Sequence, residues 1–357
     1  MTIIDIYSGF LGAGKTTLIK KMISEAYKGQ KLVLIENEFG EIGIDGGFLK
    51  EAGIQITEMN SGCICCSLVG DFGTALKQVI HEYHPDRILI EPSGVGKLSD
   101  VMVAVEKAAE HEAVLGATVA VADASKVKLY MKNFGEFYNN QIETAGCIVL
   151  SRTQNVPEAK LKAAVELIRQ HNDRATLVTT PWDELTGEQL KEAMEANPTL
   201  DDMMRELIEQ HEKEEEEHEH EHHHHHHDGE DEHECCCHHH DDDDDDEHEH
   251  HHDHDEHEHH HHHHHADEVF TSWGRETTKQ YTEEEIRNAL AALDDALEYG
   301  IILRAKGIVP ATDGRWIHFD HVPGEIDVRY GAADVIGKLC VIGSKIDEAA
   351  IAELFGV

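Results

Sequence analysis

The stretch Gly9-Phe10-Leu11-Gly12-Ala13-Gly14-Lys15-Thr16-Thr17 decides the fold of this chain. It follows an apolar run at residues 3–7 and leads into a helix-like segment at residues 18–27. A strand, a glycine loop and a helix in this order, with the pattern G-x-x-x-x-G-K-[ST], are typical of a phosphate-binding P-loop. The alternative, a glycine-rich turn that binds nothing, would not require every fixed position to be filled.

The P-loop predicts which residues hold a nucleotide and its Mg²⁺. We expect Lys15 to reach the outer phosphates and the Thr16 hydroxyl to ligate Mg²⁺. The glycines let backbone N–H groups turn towards a polyphosphate at the positive end of a helix. The other loop residues expected to line the phosphates are Gly9, Gly12, Ala13, Gly14 and Thr17.

A second nucleotide element follows the buried strand predicted at residues 87–90, which ends in Glu-Pro-Ser-Gly (91–94). In a P-loop protein an acid at the tip of an apolar strand marks a Walker B position, which holds the Mg²⁺ shell or orients water. We therefore predict Glu91 as a catalytic residue and expect the Gly94 N–H to approach the γ-phosphate. A simple strand-end turn is the alternative.

An acidic segment at residues 36–45 follows another buried strand, predicted at residues 31–35. Loops at the carboxyl ends of strands face the ligand in open α/β sheets. Glu36 and Glu41 are therefore predicted metal or switch groups, although a solvated loop would also account for acids here.

Three cysteines, Cys63, Cys65 and Cys66, stand within four residues just before a predicted helix. A helix N-terminus lowers the pKa of a thiol and favours the thiolate that a soft or borderline metal requires. Two or three sulfurs, completed by a carboxylate or histidine, would form a transferable or regulatory metal site. A redox thiol pair and a purely structural zinc site remain open.

A segment of low complexity accounts for most of the formal net charge of −42 in the 357 residues. Residues 211–267 are mainly His, Asp and Glu, and 26 of the 32 histidines lie there. Such a composition cannot bury a core, whereas imidazoles bind divalent ions and neighbouring carboxylates concentrate them. We predict a disordered metal-binding insert; a solvated spacer or a purification tag would be the alternative.

Strands and helices alternate through the first part of the chain, which predicts an α/β fold with a doubly wound, mostly parallel sheet. After the insert, a helix near residues 283–297 and several strands predict a smaller α+β domain. We place the P-loop domain at residues 1–210, the insert at 211–267 and the C-terminal domain at 268–357.

The chain shows no basic face, and its N-terminus has neither a positively charged region nor a long apolar segment. Nucleic acid and membranes are therefore unexpected partners. Without a recognisable signal peptide or membrane helix, we expect a cytoplasmic protein, in which the eight cysteines are thiols or metal ligands.

Several motifs in order resemble those of the CobW-like GTPases, relatives of the hydrogenase and urease nickel-insertion GTPases. They are the P-loop, Glu-Asn-Glu-Phe-Gly-Glu-Ile-Gly-Ile-Asp (36–45), Asn-Ser-Gly-Cys-Ile-Cys-Cys (60–66) and Glu-Pro-Ser-Gly (91–94). Leu-Arg-Ala-Lys-Gly-Ile (303–308) and its flanking strands resemble the CobW C-terminal domain. The resemblance covers the chain except for the insert.

The resemblance implies a GTPase and metallochaperone. Residues 9–16 would bind the phosphates of GTP, Thr16 and Glu91 would serve Mg²⁺, and Cys63, Cys65 and Cys66 would carry the metal. That metal is most often Zn²⁺ in the family, with Ni²⁺ or Co²⁺ as alternatives. A client metalloprotein would receive it, docking partly on the C-terminal domain. A histidine-rich metal buffer with a vestigial NTPase and a P-loop kinase for a small molecule are the rival functions.

One departure from the family concerns the base. These GTPases usually read guanine with Asn/Thr-Lys-x-Asp after the strand that here ends at Leu150, but this chain has Ser151-Arg152-Thr153-Gln154. A Gln presents one acceptor and one donor amide where Asp presents a bidentate acceptor, so we expect weaker selectivity for guanine. Ser151, Arg152 and Gln154 are the predicted base contacts, with the Arg152 guanidinium stacked on the purine.

Overall fold

A parallel sheet forms the centre of the N-terminal part of the chain. The computed structural model describes residues 1–37, 55–59, 69–109, 112–196, 204–205, 207–208 and 269–357. Within these ranges the sheet has seven strands, in the order β3-β2-β4-β1-β5-β6-β7, and each neighbouring pair is parallel. The strands are β1 (Thr2–Gly9), β2 (Leu32–Asn37), β3 (Gln55–Met59), β4 (Arg87–Glu91), β5 (Ala113–Asp123), β6 (Cys147–Ser151) and β7 (Thr176–Val178).

Helices lie between successive strands of this sheet except between β2 and β3, where the connecting residues fall outside the described ranges. Parallel neighbours need such crossovers to return the chain to the same edge. Among the helices in the described ranges, none combines the length and the hydropathy that a bilayer crossing requires. The helices are α1 (Lys15–Glu25), α2 (Val69–Tyr83), α3 (Leu98–Ala109), α4 (Val127–Asn133), α5 (Gly135–Glu143), α6 (Glu158–His171) and α7 (Gly187–Glu195).

Both faces of the parallel sheet are covered. Along β4, Ile88 and Ile90 belong to the core on one face, whereas Leu89, between them, belongs to the core on the other. All three side chains are fully buried. Burial on both faces explains why these strands read as continuous apolar runs, and the predicted doubly wound α/β fold is confirmed.

The C-terminal part forms a separate antiparallel sheet of five strands in its described residues, in the order β11-β10-β9-β12-β8. Its strands are β8 (Thr271–Thr277), β9 (Ile301–Pro310), β10 (Trp316–Val322), β11 (Glu325–Gly331) and β12 (Gly337–Ser344). Its helices are α8 (Glu283–Ala292), α9 (Ala296–Tyr299) and α10 (Glu348–Phe355).

The helix predicted near residues 283–297 is two helices. Thr282 and Glu285 form a capping box at the start of α8. The Asp295 side chain accepts a hydrogen bond from the Leu297 N–H and begins α9 as a new N-cap. An Asp that competes for backbone donors in this way ends the first helix after Ala292.

The strands of this sheet have one apolar and one charged face. On β10, Ile317 and Phe319 lie in the C-terminal core, and His321 on the same face is fully buried. Asp320 and Val322 point to the opposite face because side chains alternate along a strand. The described residues before position 209 and after position 268 belong to one compact unit, and the charged face of the sheet lies on the P-loop side of that unit.

Aromatic side chains join the two sheets. The Phe10 ring, inside the P-loop motif, lies 6.1 Å between centroids from Phe270, which immediately precedes β8. Phe270 also packs edge-on against Phe137 of α5, at 5.1 Å. Phe270 is fully buried, so burial of aromatic surface fixes the start of the C-terminal sheet against the P-loop domain. The predicted domain boundaries remain predictions, and the insert lies outside the described residues.

Candidate functional site

The P-loop joins β1 to α1 through backbone that favours glycine. Gly12 and Gly14 have φ angles of +68° and +105°, values that residues with a Cβ rarely adopt. Gly14 is also the residue that caps α1 at its N-terminus. The N–H groups of the first turn of α1 therefore face the loop, where an anion would be stabilised.

Lys15 and Thr16, the first two residues of α1, reach towards the loop and β4. The Lys15 ammonium donates to the Gly9 carbonyl over 3.0 Å, which bends the side chain back over the loop. The Thr16 Oγ1 lies 3.0 and 3.1 Å from the two carboxylate oxygens of Glu91 and donates to them. Thus the structure brings together three residues that the sequence placed in one site.

Gly94, three residues beyond β4, packs against the P-loop backbone. A Cβ atom added there would lie 2.9 Å from the Leu11 amide nitrogen. The position therefore requires a residue without a side chain, as expected for a backbone that approaches the phosphate loop closely. Of the other predicted loop residues, Ala13 is buried and Thr17 is exposed.

Arg152, predicted to stack on the purine, has three polar partners. One of its terminal nitrogens donates to the Gly12 carbonyl at 2.9 Å and lies 3.3 Å from the Asp123 carboxylate. The other lies 2.8 Å from Glu325, at the start of β11. Arg152 also has a positive φ of 57°. Glu325 of the C-terminal sheet thus holds a residue of the loop that follows β6.

The other predicted base residues lie on the same loop but differ in exposure. Ser151 is buried at the end of β6, whereas Gln154 is exposed in a short 3₁₀ turn, Thr153–Asn155. Next to this loop, the Trp182 indole N–H donates to the Leu150 carbonyl at 2.9 Å. A Cβ atom at Gly14 would lie 3.2 Å from the Trp182 ring. Trp182 is a candidate neighbour of the nucleotide that sequence reasoning missed.

The turn between β10 and β11 lies directly on the P-loop. A Cβ atom at Gly12 would come within 2.2 Å of Cγ1 of Val322, so only glycine permits this approach. Lys126 donates from Nζ to the Pro323 carbonyl at 2.7 Å, and burial lowers the pKa of this lysine. The hairpin tip therefore contacts the loops that follow β1 and β5.

A cavity of about 380 Å³ lies between the P-loop and the charged face of the C-terminal sheet. Residues of the P-loop domain form one wall: Gly12, Gly14, Lys15, Thr16, Thr17, Lys20, Glu91 and Arg152. Glycine backbone at a helix N-terminus, two lysines and a Thr–Glu pair form a donor set that suits a nucleotide polyphosphate with Mg²⁺. The second wall consists of residues on β9, β10 and β11 that sequence reasoning did not assign to the site. A signal existed for Asp320 on β10, because Ile317 and Phe319 alternate with polar residues along that strand.

Of the predicted metal residues, Thr16 and Glu36 lie in the described part of the chain. Glu36 is buried near the end of β2 and is the register partner of Glu91 on β4. Glu41, Cys63, Cys65 and Cys66 lie outside the described residues. Among the described residues, no three His, Cys, Asp or Glu side chains converge in a way that could hold a metal ion.

Two family models match the chain. The model of the CobW/HypB/UreG nucleotide-binding domain matches residues 3–179, and the model of the cobalamin synthesis protein CobW C-terminal domain matches residues 270–356. These segments contain the P-loop sheet and the antiparallel sheet.

Curated relatives carry zinc chaperone names. The zinc chaperone CobW of Sinorhizobium sp is 30% identical over 198 residues, covering 47% of this chain and 56% of that protein. The zinc chaperone YeiR of Escherichia coli (strain K12) is 31% identical over 162 residues, covering 45% of this chain and 49% of that protein. The chain thus spans about half the length of these relatives. The crystal structure of Zn(II)-bound YjiA GTPase from E. coli aligns over 100% of this chain and 98% of that chain, with 18% identity and a TM-score of 0.42.

Proposed function

Because the chain belongs to the CobW/HypB/UreG family, we propose that it is a GTP-dependent metallochaperone of the cytoplasm. It binds a transition metal, most simply Zn²⁺, at Cys63, Cys65 and Cys66. Hydrolysis of GTP releases the metal into a client protein that docks partly on the C-terminal domain. The names of the curated relatives support zinc as the cargo.

The pairing of Thr16 with Glu91 at the P-loop is the observation that carries the GTPase proposal. The two residues are 75 positions apart in the chain, and their side chains meet at 3.0 Å. They meet at the start of α1, where Lys15 bends over the loop. A hydroxyl and a carboxylate at this place are suited to hold Mg²⁺ and its water ligands.

Each residue of the site has a distinct role in the proposed hydrolysis. Lys15 neutralises the outer phosphates, and the N–H groups at the start of α1 stabilise the phosphate oxygens. Glu91 orients the Mg²⁺ shell or the attacking water. Thr16 and Glu91 would hold the Mg²⁺, which would neutralise negative charge on the polyphosphate when bound.

The strand register supports a link between the nucleotide and the metal. Glu36 on β2 is paired in register with Glu91 on β4 and with Glu58 on β3. The carboxyl ends of parallel strands lie at one edge of a sheet. Glu91 contacts Thr16 at this edge, and β3 ends there at Met59. The segment that leads from Met59 to Cys63 therefore starts at the same edge. A switch ordered by the γ-phosphate could therefore move a metal ligand.

The test of the GTPase proposal compares Lys15→Ala with the parent in GTP binding and turnover. We expect the parent to hydrolyse GTP with Mg²⁺ and the variant to lose both binding and turnover, because the ammonium is needed for the phosphates. Lys21→Ala is the matched control, since Lys21 lies on the same helix but is paired with Glu25 at 2.8 Å.

Circular dichroism checks that the Lys15→Ala variant remains folded. A parent without turnover, or a Lys15→Ala variant as active as the control, would contradict the GTPase proposal.

A further inference from the structure

The cavity at the P-loop has a second wall, made by the charged face of the C-terminal sheet. The residues of this wall come from three neighbouring strands, and they are Arg304, Asp320, Val322, Glu325, Asp327 and Arg329. Two arginines thus line the same space as Lys15 and Thr16. Arginine is the side chain best suited to bind phosphate oxygens through a planar fork of donors.

Arg304 is the better fixed of the two arginines. It lies on β9, the central strand of the sheet, whereas Arg329 lies on the edge strand β11. Its side chain is 19% exposed, against 56% for Arg329. A guanidinium that packing holds in place loses less conformational entropy when it binds a ligand.

Asp320 holds Arg304 in the cavity. The Arg304 Nη2 donates to the Asp320 carboxylate at 2.7 Å across the β9–β10 pair. Both residues line the cavity, so this ion pair orients the Arg304 guanidinium on the wall that faces the P-loop. The neighbouring hairpin tip places Val322 against Gly12, and this contact keeps the wall next to the loop.

We propose that Arg304 contacts the γ-phosphate of the bound nucleotide and acts as an arginine finger supplied by the chain's own C-terminal domain. This inference rests on the proposed GTPase function. In the reaction the oxygen of water bonds to the γ-phosphorus, while the bond from that phosphorus to the β–γ bridging oxygen breaks with its electron pair. The products are GDP, inorganic phosphate and a proton, and Arg304 stabilises the negative charge on the phosphoryl oxygens.

This role makes hydrolysis depend on the position of the C-terminal sheet. Lys15, Thr16 and Glu91 belong to the P-loop domain, whereas Arg304 belongs to the C-terminal sheet and contacts only the γ-phosphate. A client that moved the C-terminal sheet would therefore change the rate of hydrolysis without removing the nucleotide.

The experiment uses the full chain with Arg304→Ala and Arg304→Gln, and it measures single-turnover hydrolysis together with affinities for GDP and a GTP analogue. We expect hydrolysis to fall by about 10³-fold or more, as is typical when an arginine finger is lost. Affinity for GDP should change by less than about threefold, since GDP lacks the phosphate that Arg304 contacts. Arg315→Ala is the control, because Arg315 is a surface residue paired with Asp313 at 2.6 Å.

Three results would overturn the proposal. The first is hydrolysis within about threefold of the parent in both Arg304 variants, far short of the loss expected for a finger. The second is a parallel loss of GDP binding in both variants, which would indicate a structural role. The third is a larger loss in Arg329→Ala than in Arg304→Ala. A parent that binds GTP but does not hydrolyse it would instead contradict the proposed function itself.

Discussion

The terminal guanidinium nitrogen of Arg152, on the loop after β6, lies 2.8 Å from the carboxylate of Glu325, at the start of β11. Arg152 is the residue that the sequence assigned to the purine. The C-terminal sheet therefore holds a residue of the predicted nucleotide site. Nucleotide binding and the position of the C-terminal sheet are expected to depend on each other.

Replacing Glu325 by Gln should strengthen nucleotide binding. The change removes a competitor for the Arg152 guanidinium and one negative charge from the cavity. We expect about a two- to fivefold gain in affinity, because a partly exposed ion pair contributes up to about 1 kcal/mol. Titration with a fluorescent guanine nucleotide measures the affinity. Asp313→Asn, which removes a surface acid outside the cavity, is the control, and an equal gain there would refute this explanation.

Gly12→Ala should disrupt the contact between the P-loop and the hairpin. The added Cβ would lie 2.2 Å from Cγ1 of Val322 and would occupy a φ of +68°. We expect a loss of roughly 1–3 kcal/mol in stability from backbone strain, with a further loss from the clash. Thermal unfolding and nucleotide titration measure the two effects.

The variant Gly314→Ala is the control that separates the effect of backbone strain from the effect of the clash at Gly12. Gly314 also has a positive φ, +85°, but no atom lies within 4 Å of an added Cβ. We expect Gly12→Ala to be the more damaging, and Gly12→Ala combined with Val322→Ala to recover part of the difference. If the two glycine variants were equally destabilised, the contact with Val322 would not matter.

Much of the nucleotide site could be predicted from the sequence, because its motifs are contiguous and their backbone geometry is local. The P-loop glycines and the strand-end Glu91 follow from such patterns, and strand order brings Thr16 and Glu91 together. The second wall of the cavity could not be predicted, since Arg304 and Glu325 reach the P-loop only through the packing of one sheet on another. The role predicted for Arg152 in base binding remains a prediction, and the partners that its guanidinium has in the structure depend on the same long-range contact.

Gln154→Asp should increase the selectivity for GTP. Gln154 is exposed on its turn, so the substitution should cost little stability. A carboxylate accepts from both N–H donors of guanine, whereas an amide offers one acceptor and one donor. Competition among GTP, ATP and xanthosine triphosphate measures the selectivity. In the parent we expect the affinity for GTP to exceed that for the other two nucleotides by a modest factor. A clear preference for ATP would refute the assignment of guanine.

His321 should make the stability of the chain depend on pH. Burial lowers the pKa of this histidine, although the Asp294 carboxylate, 3.2 Å away, opposes the shift; Lys126 lowers the pKa further and Asp320 raises it. The unfolded state therefore takes up the proton first as the pH falls. The stabilisation is complete above the unfolded pKa of about 6.5 and is lost as the pH falls below it.

Urea unfolding at pH 8 and pH 5.5 measures this effect. Between pH 8 and pH 5.5 we expect the free energy of unfolding of the parent to fall by roughly 1 kcal/mol more than that of His321→Gln. His318→Gln, two residues earlier on the same strand, should keep the pH dependence of the parent because His321 remains. The same pH dependence in the parent and in His321→Gln would show that another group is responsible.

The central claim, that the nucleotide controls the metal, is tested most directly by the zinc affinity of the full chain with a GTP analogue and with GDP. Competition with a chromophoric chelator, at zinc concentrations far below those that fill the histidine-rich insert, isolates the cysteine site. We predict affinities that differ by about 5- to 150-fold, a coupling of about 1–3 kcal/mol, and no difference in the Cys65→Ser/Cys66→Ser variant. Equal zinc affinity of the parent in both nucleotide states would contradict the metallochaperone mechanism.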